Sequence, residues 1–162
     1  MSDPYPCFFY GSLMSTRVLN SVTRPGPEAN LHTVPATIQG YVRYSYHNEP
    51  YPGMIATGDE LNAAVEGLLV FGHSLMDRFR LDQFEGSEYT REILPVKILA
   101  PVPGEYNLME GKKPIAAGDV VQSYVYVFTG PHAHLDSSRP WDYEAFKKDH
   151  LDLWMNTSSD FV

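Results

Sequence analysis

The chain has 162 residues, of which 43% are hydrophobic, with a formal charge of −8 and one cysteine. That length and apolar content suit a single folded domain over residues 1–162 and exclude a wholly disordered chain. Twelve Lys and Arg face 20 Asp and Glu, with no basic stretch beyond Lys112-Lys113 and Lys147-Lys148, so neither a nucleic-acid nor an anionic-membrane partner is expected.

In chain order, Cys7-Phe8-Phe9-Tyr10 reads as a short buried strand ended by Gly11, and Ser12 is placed to cap a helix over Leu13–Val22. Arg24-Pro25-Gly26-Pro27 stops that helix. Thr33–Tyr46 is rich in β-branched and aromatic residues and reads as one or two strands, interrupted at Pro35 and Gly40. Tyr51-Pro52-Gly53-Met54 reads as a turn, and Ala64–Phe71 as a strand. Ser74 with Asp77 three residues on forms a capping box in its shorter, aspartate form, opening a helix to about Phe84 that breaks at Gly86. Tyr89–Leu99 and Val120–Phe128 follow as strands. Asp142–Met155 closes the pattern as one helix, with Tyr143, Phe146, His150, Leu153 and Trp154 on its apolar stripe and His150 as a packed core residue. About five to seven strands and three helices, with strands in succession, favour a curved or barrel-like mixed sheet over a doubly wound one.

Two segments carry the candidate chemistry. In Tyr10-Gly11-Ser12-Leu13 a glycine lets the backbone approach a ligand, and the N–H groups that follow can meet a carboxylate or an oxyanion. An ordinary strand–turn–helix accounts for the same residues. In Leu81-Asp82-Gln83-Phe84-Glu85-Gly86, a carboxyl sits beside an aromatic ring at a helix end. A Glu85 buried there would have a raised pKa suited to acid/base work. A solvated network of Glu85, Glu88 and Arg91 is the competing account.

Taken together and in order, these residues resemble the gamma-glutamylcyclotransferase-like superfamily, and most closely its plant and fungal avirulence-induced-gene-like (AIG2-like) branch. The resemblance is carried by Phe8-Phe9-Tyr10-Gly11-Ser12-Leu13, by Tyr51-Pro52-Gly53-Met54, by Val65-Glu66-Gly67-Leu68-Leu69 and by Leu81 to Gly86 with Tyr89 and Arg91. Tyr124-Val125-Tyr126 and Trp141 to Phe146 complete it. It implies an α+β fold, a small mixed and mostly antiparallel β-barrel with flanking helices. It also implies a cofactor-independent acyl transfer: the α-amine of a gamma-glutamyl group attacks its own γ-carbonyl, releasing 5-oxoproline and a free amine or amino acid, as in glutathione metabolism. By the family pattern Glu85 shuttles the proton, and Tyr10, Gly11, Ser12, Leu13, Met14 and Ser15 hold the glutamyl end. Tyr89, Arg91, Tyr124 and Tyr126 are wall candidates, equally readable as ordinary strand residues. The expected partner is a small gamma-glutamyl substrate. Met54–Leu61 and Gly104–Lys113 are expected to shape the leaving-group side. A non-catalytic binding protein using the same pocket, or a cyclotransferase for a specialised conjugate, are the alternatives.

Other signals carry less. His132-Ala133-His134 with Asp136 lacks further ligands at metal-site spacing, so no metal is expected and a solvated loop is read there. Cys7 reads as a buried structural cysteine. No Gly-Lys-Ser/Thr follows Gly11, which removes the phosphate-loop reading. With no apolar run near the roughly 20 residues of a membrane span, no basic leader and no possible internal disulfide, a cytoplasmic location is expected.

Overall fold

A computed structural model describes residues 3–58 and 62–157. Eight strands run β1 (Cys7–Phe9), β2 (His32–Gln39), β3 (Tyr41–Tyr46), β4 (Pro52–Ala56), β5 (Ala64–Phe71), β6 (Tyr89–Ile98), β7 (Val120–Phe128) and β8 (Leu135–Pro140). The helices are α1 (Thr16–Thr23), α2 (Leu75–Glu85), α3 (Tyr143–Asp149) and α4 (Leu151–Thr157). Five strands close a barrel in the order β1-β5-β2-β6-β7, and β4-β3-β8 form a separate three-stranded sheet. Every barrel pairing is antiparallel except the seam, where β1 runs parallel to β7 with Cys7 opposite Tyr124 and Phe8 opposite Val125. The α+β barrel with flanking helices is therefore present. Among the described residues it carries eight strands and four α-helices, more than the sequence suggests.

Alternation explains how the barrel positions everything else. Phe8, Tyr10, Ala36, Ile38, Leu69, Val96, Ile98 and Val125 point inward and fill the barrel. Their strand neighbours Cys7, Phe9, Val70, Tyr124 and Tyr126 point outward, where Val18, Leu19, Leu81, Phe146 and Leu151 of the helices cover them. A strand covered on both faces is apolar throughout, which is why β1 shows no alternation in the sequence. At 2% exposure Cys7 belongs to this helix-side layer, and burial, then the charge of Asp3, pushes its thiol well up from its usual range.

Several local expectations change. Ser12 does not cap a long helix: Ser12–Met14 is a single 3-10 turn, and Ser15 caps α1 by accepting from the Val18 N–H. The capping box at Ser74 is present in both directions, and Gly86 ends α2 at φ +82°, a conformation that suits glycine. Pro52–Ala56 is a strand, not a turn. The last helix is two, broken at His150, which leaves His150 and Leu153 exposed while Phe146 and Leu151 are buried. His132–His134 is an exposed 3-10 turn leading into β8, in keeping with a solvated connection. No described helix is long and apolar enough to cross a membrane.

Candidate active site

The end of β1, the end of α2 and the start of β6 converge on one cavity of about 440 Å³. β1 delivers Tyr10 and Gly11, and the 3-10 turn delivers Ser12 and Leu13. The last residue of α2 brings Glu85, the loop after it brings Gly86, Ser87 and Glu88, and β6 brings Tyr89. Two backbone bonds tighten the turn: Met14 N–H to the Gly11 carbonyl at 3.0 Å, and Ser15 N–H to the Ser12 carbonyl at 3.0 Å. Ser12 and Leu13 open that turn, so their N–H groups have no acceptor inside it. Close packing sets its backbone, since a Cβ on Gly11 would lie 3.1 Å from the Pro52 Cδ. Arg43 holds the turn from behind, donating to the Tyr10 carbonyl at 2.8 Å while its guanidinium lies over the Trp141 ring.

Glu85 is the chemically distinctive group. It is partly buried, and no side-chain hydrogen bond to its carboxyl is found among the described residues. Burial first, and the nearby Asp82 carboxylate second, raise its pKa from 4.5 to about 8. The surrounding hydroxyls stay protonated. Tyr10 donates to the Tyr126 carbonyl at 2.5 Å, Tyr89 to the Pro52 carbonyl at 2.7 Å, and Tyr126 to Asp82 at 2.7 Å. Burial is the largest cause of the upward shift in each of the three, and the Glu85 charge adds to all of them.

Of the residues singled out from sequence, Tyr10, Gly11, Ser12, Leu13, Glu85, Tyr89 and Tyr126 line this cavity. Met14, Ser15, Arg91 and Tyr124 do not. Ser15 is the α1 cap. Arg91 pairs with Asp82 at 2.9 Å and lies over the Tyr124 ring, and Tyr124 donates to Asp3 at 2.8 Å beside Arg78. These groups lie one layer behind the wall: Asp82, which Arg91 holds, is the charge that acts on Glu85. Gly104–Lys113 contributes nothing to the cavity. Met54 is a core residue of β4, and Asp59 to Leu61 lie outside the described residues. Glu49, Tyr51 and Trp154 complete the lining and were not singled out as wall residues from sequence; they arrive through tertiary contact with no local signal.

His134 Nδ1 donates to Glu88 at 2.5 Å, Asp136 is engaged by Ser138, and no group of three or more metal-ligating side chains occurs among the described residues.

The family pattern described as gamma-glutamyl cyclotransferase, AIG2-like, matches residues 7–145. Protein AIG2 C of Arabidopsis thaliana is 26% identical over 161 residues, covering 96% of this chain and 81% of that one. AIG2-like protein D of the same plant is 25% identical over 155 residues, covering 96% and 87%. A solution structure of an Arabidopsis thaliana protein shares the fold with a TM-score of 0.59 at 24% identity, over 97% of this chain and 82% of that one. So does the crystal structure of a yeast gamma-glutamyl cyclotransferase specific to glutathione, with a TM-score of 0.51 at 16% identity over 96% and 88%. The barrel, the glycine turn and the helix-end carboxyl all fall within the matched span, and the chain belongs to the AIG2-like gamma-glutamyl cyclotransferase family.

Proposed function

We propose that the protein is a gamma-glutamyl cyclotransferase in which Glu85 moves the proton. The observation that carries this is a carboxyl held near pKa 8 inside an aromatic cavity, beside a turn whose leading N–H groups have no acceptor within it. The substrate's α-ammonium enters next to Glu85, and that positive charge favours the carboxylate form. Glu85 then takes a proton from the ammonium. The freed amine attacks the γ-carbonyl, and the carbon–nitrogen bond to the leaving group breaks. Overall the ammonium loses two protons and the departing nitrogen gains two, so 5-oxoproline and an ammonium leave. A group titrating close to working pH can both accept and return a proton.

The cavity's part is to fold the substrate into its ring-closing shape. Well-oriented intramolecular attack is worth roughly 7–11 kcal/mol, and the nucleophile comes with the substrate. The N–H groups of Ser12 and Leu13 are the donors proposed to meet the substrate's α-carboxylate. The test is 5-oxoproline release from a panel of gamma-glutamyl compounds. Glu85→Gln is expected to lower kcat by about 10²–10⁴-fold while ligand binding persists. Full activity in that variant would remove Glu85 from the mechanism.

A further inference from the structure

Asp82 lies directly behind the cavity wall and is not part of it. On α2 it stands three residues before Glu85, a spacing that puts both side chains on one face of the helix. Arg91 and Tyr126 are cross-strand partners on β6 and β7, so their side chains leave the sheet on the same face. Both end on Asp82: Arg91 donates to one carboxylate oxygen at 2.9 Å and Tyr126 to the other at 2.7 Å. Tyr126 itself lines the cavity, and its carbonyl accepts from Tyr10. One carboxylate thus ties the helix that carries Glu85 to two strands of the barrel.

Arg91 is itself held in place. Its guanidinium lies 4.9 Å over the Tyr124 ring, whose hydroxyl donates to the buried Asp3 and accepts from Arg78. As a stabilising ion pair Arg91–Asp82 is worth little, because its side chains are 27% and 40% exposed. Its effect on Glu85 is another matter. The other titratable side chains of the lining are Tyr10 from β1, Tyr89 from β6, Tyr126 from β7, Glu88 from the loop after α2, and Glu49 and Tyr51 from the segment before β4. The four hydroxyls are pushed upward, with burial the largest cause, and stay neutral. Glu88 is engaged by His134 and Tyr46, and Glu49 is exposed. Asp82 is the neighbouring charge that bears on the Glu85 proton, second to burial.

We propose that Asp82, clamped by Arg91 and Tyr126, is a positioning residue of the reaction: its charge, partly offset by Arg91, sets the pH range in which Glu85 can take a proton and return it. This rests on the cyclotransferase reading and adds the pair that tunes it. Asp82 touches no substrate and exchanges no proton in the steps given above.

Two variants of opposite expected sign test it. Asp82→Asn keeps an oxygen for the Tyr126 hydroxyl and removes the charge. The Glu85 titration midpoint is expected to fall by roughly 0.5–1 pH, and the acid limb of kcat/KM to move down with it. Arg91→Gln uncovers the charge while Tyr126 still holds it, and is expected to move both upward, by less. A merely loosened wall would admit water in either variant and lower the midpoint in both, because burial is the larger cause. About 1 M salt is expected to shrink the gap between wild type and Asp82→Asn, which a packing defect would not do. NMR titration of the carboxyl carbons reads the midpoint without turnover, with Glu85→Gln identifying the signal. Equal midpoints in wild type and Asp82→Asn, a fall in both variants, or a gap that salt leaves untouched would each overturn the proposal. Midpoints displaced in opposite directions, with no 5-oxoproline released by wild type from any gamma-glutamyl compound, would keep the hold of Asp82 on Glu85 and remove the cyclotransferase reading instead.

Discussion

At the scale of single residues, Glu85 ties function to stability. A carboxyl whose pKa is higher folded than unfolded keeps its proton in the folded state over a window where the unfolded chain has released it. Here the window runs from about pH 4.5 to about pH 8. The folded state binds more protons across it, so stability falls as pH rises through it and levels off above. Glutamine has no such proton to lose. Glu85→Gln is therefore expected to match wild type at the acid end and to be more stable at the alkaline end, by roughly 2–4 kcal/mol after allowing for the partial exposure of the site. Urea midpoints measured across the window check this. Parallel curves for the two proteins would mean that Glu85 is ordinarily solvated, and would weaken the proton-shuttle role with it. A carboxyl that costs stability yet suits the proposed proton transfer is what an activity–stability trade-off predicts.

At the scale of elements, the signals that survive folding are the local ones. Ser74 and Asp77 satisfy each other's backbone N–H groups at 3.1 and 3.0 Å, and α2 begins where the sequence says it should. Ser74→Ala is expected to cost about 1 kcal/mol, read from chemical denaturation; no change would mean another group caps α2. What the sequence hid has physical causes. Tyr51-Pro52-Gly53 reads as a turn, but β4 is the outer strand of its sheet, and an edge position tolerates the missing proline N–H. Leu135–Pro140 gives no strand signal in the sequence because most of that strand is exposed and polar. The helix breaks at His150, so a stripe laid over one continuous helix assigns His150 and Leu153, both exposed, to the core. The candidate site divides the same way. Tyr10 to Leu13, Glu85 and Tyr89 lie at the adjoining ends of three elements, so two short segments reveal them. Arg91 and Tyr124 lie two residues along their strands from Tyr89 and Tyr126. One pleat repeat, about 6.6 Å, is enough to take them off the cavity wall. Glu49, Tyr51 and Trp154 reach the cavity only because the second sheet and the last helix pack there.

At the scale of the whole molecule, the barrel's closure sets where the site sits. The turn that holds Gly11 to Leu13 is the direct continuation of β1, and β1 is only three residues long, so its position depends on its neighbours β5 and β7. Gly67 in β5 is the tightest point of that contact: a Cβ there would lie 2.3 Å from the Phe9 carbonyl oxygen and 2.9 Å from the Phe8 ring. The ring could yield, but the carbonyl belongs to the backbone and cannot move without displacing β1. Gly67→Ala is thus expected to destabilise by about 2–3 kcal/mol, as overpacking at a rigid contact does, lowering Tm by roughly 4–12 °C for a chain of this size. Gly26→Ala is the control, since a Cβ there meets nothing within 4 Å. Because β1 carries the turn, the folded fraction of Gly67→Ala should also show a raised KM, with the Glu85-dependent pH profile of kcat unchanged. A variant that loses stability but keeps its KM would show that the turn is anchored by Arg43 and Pro52 alone, independently of the strand that leads into it.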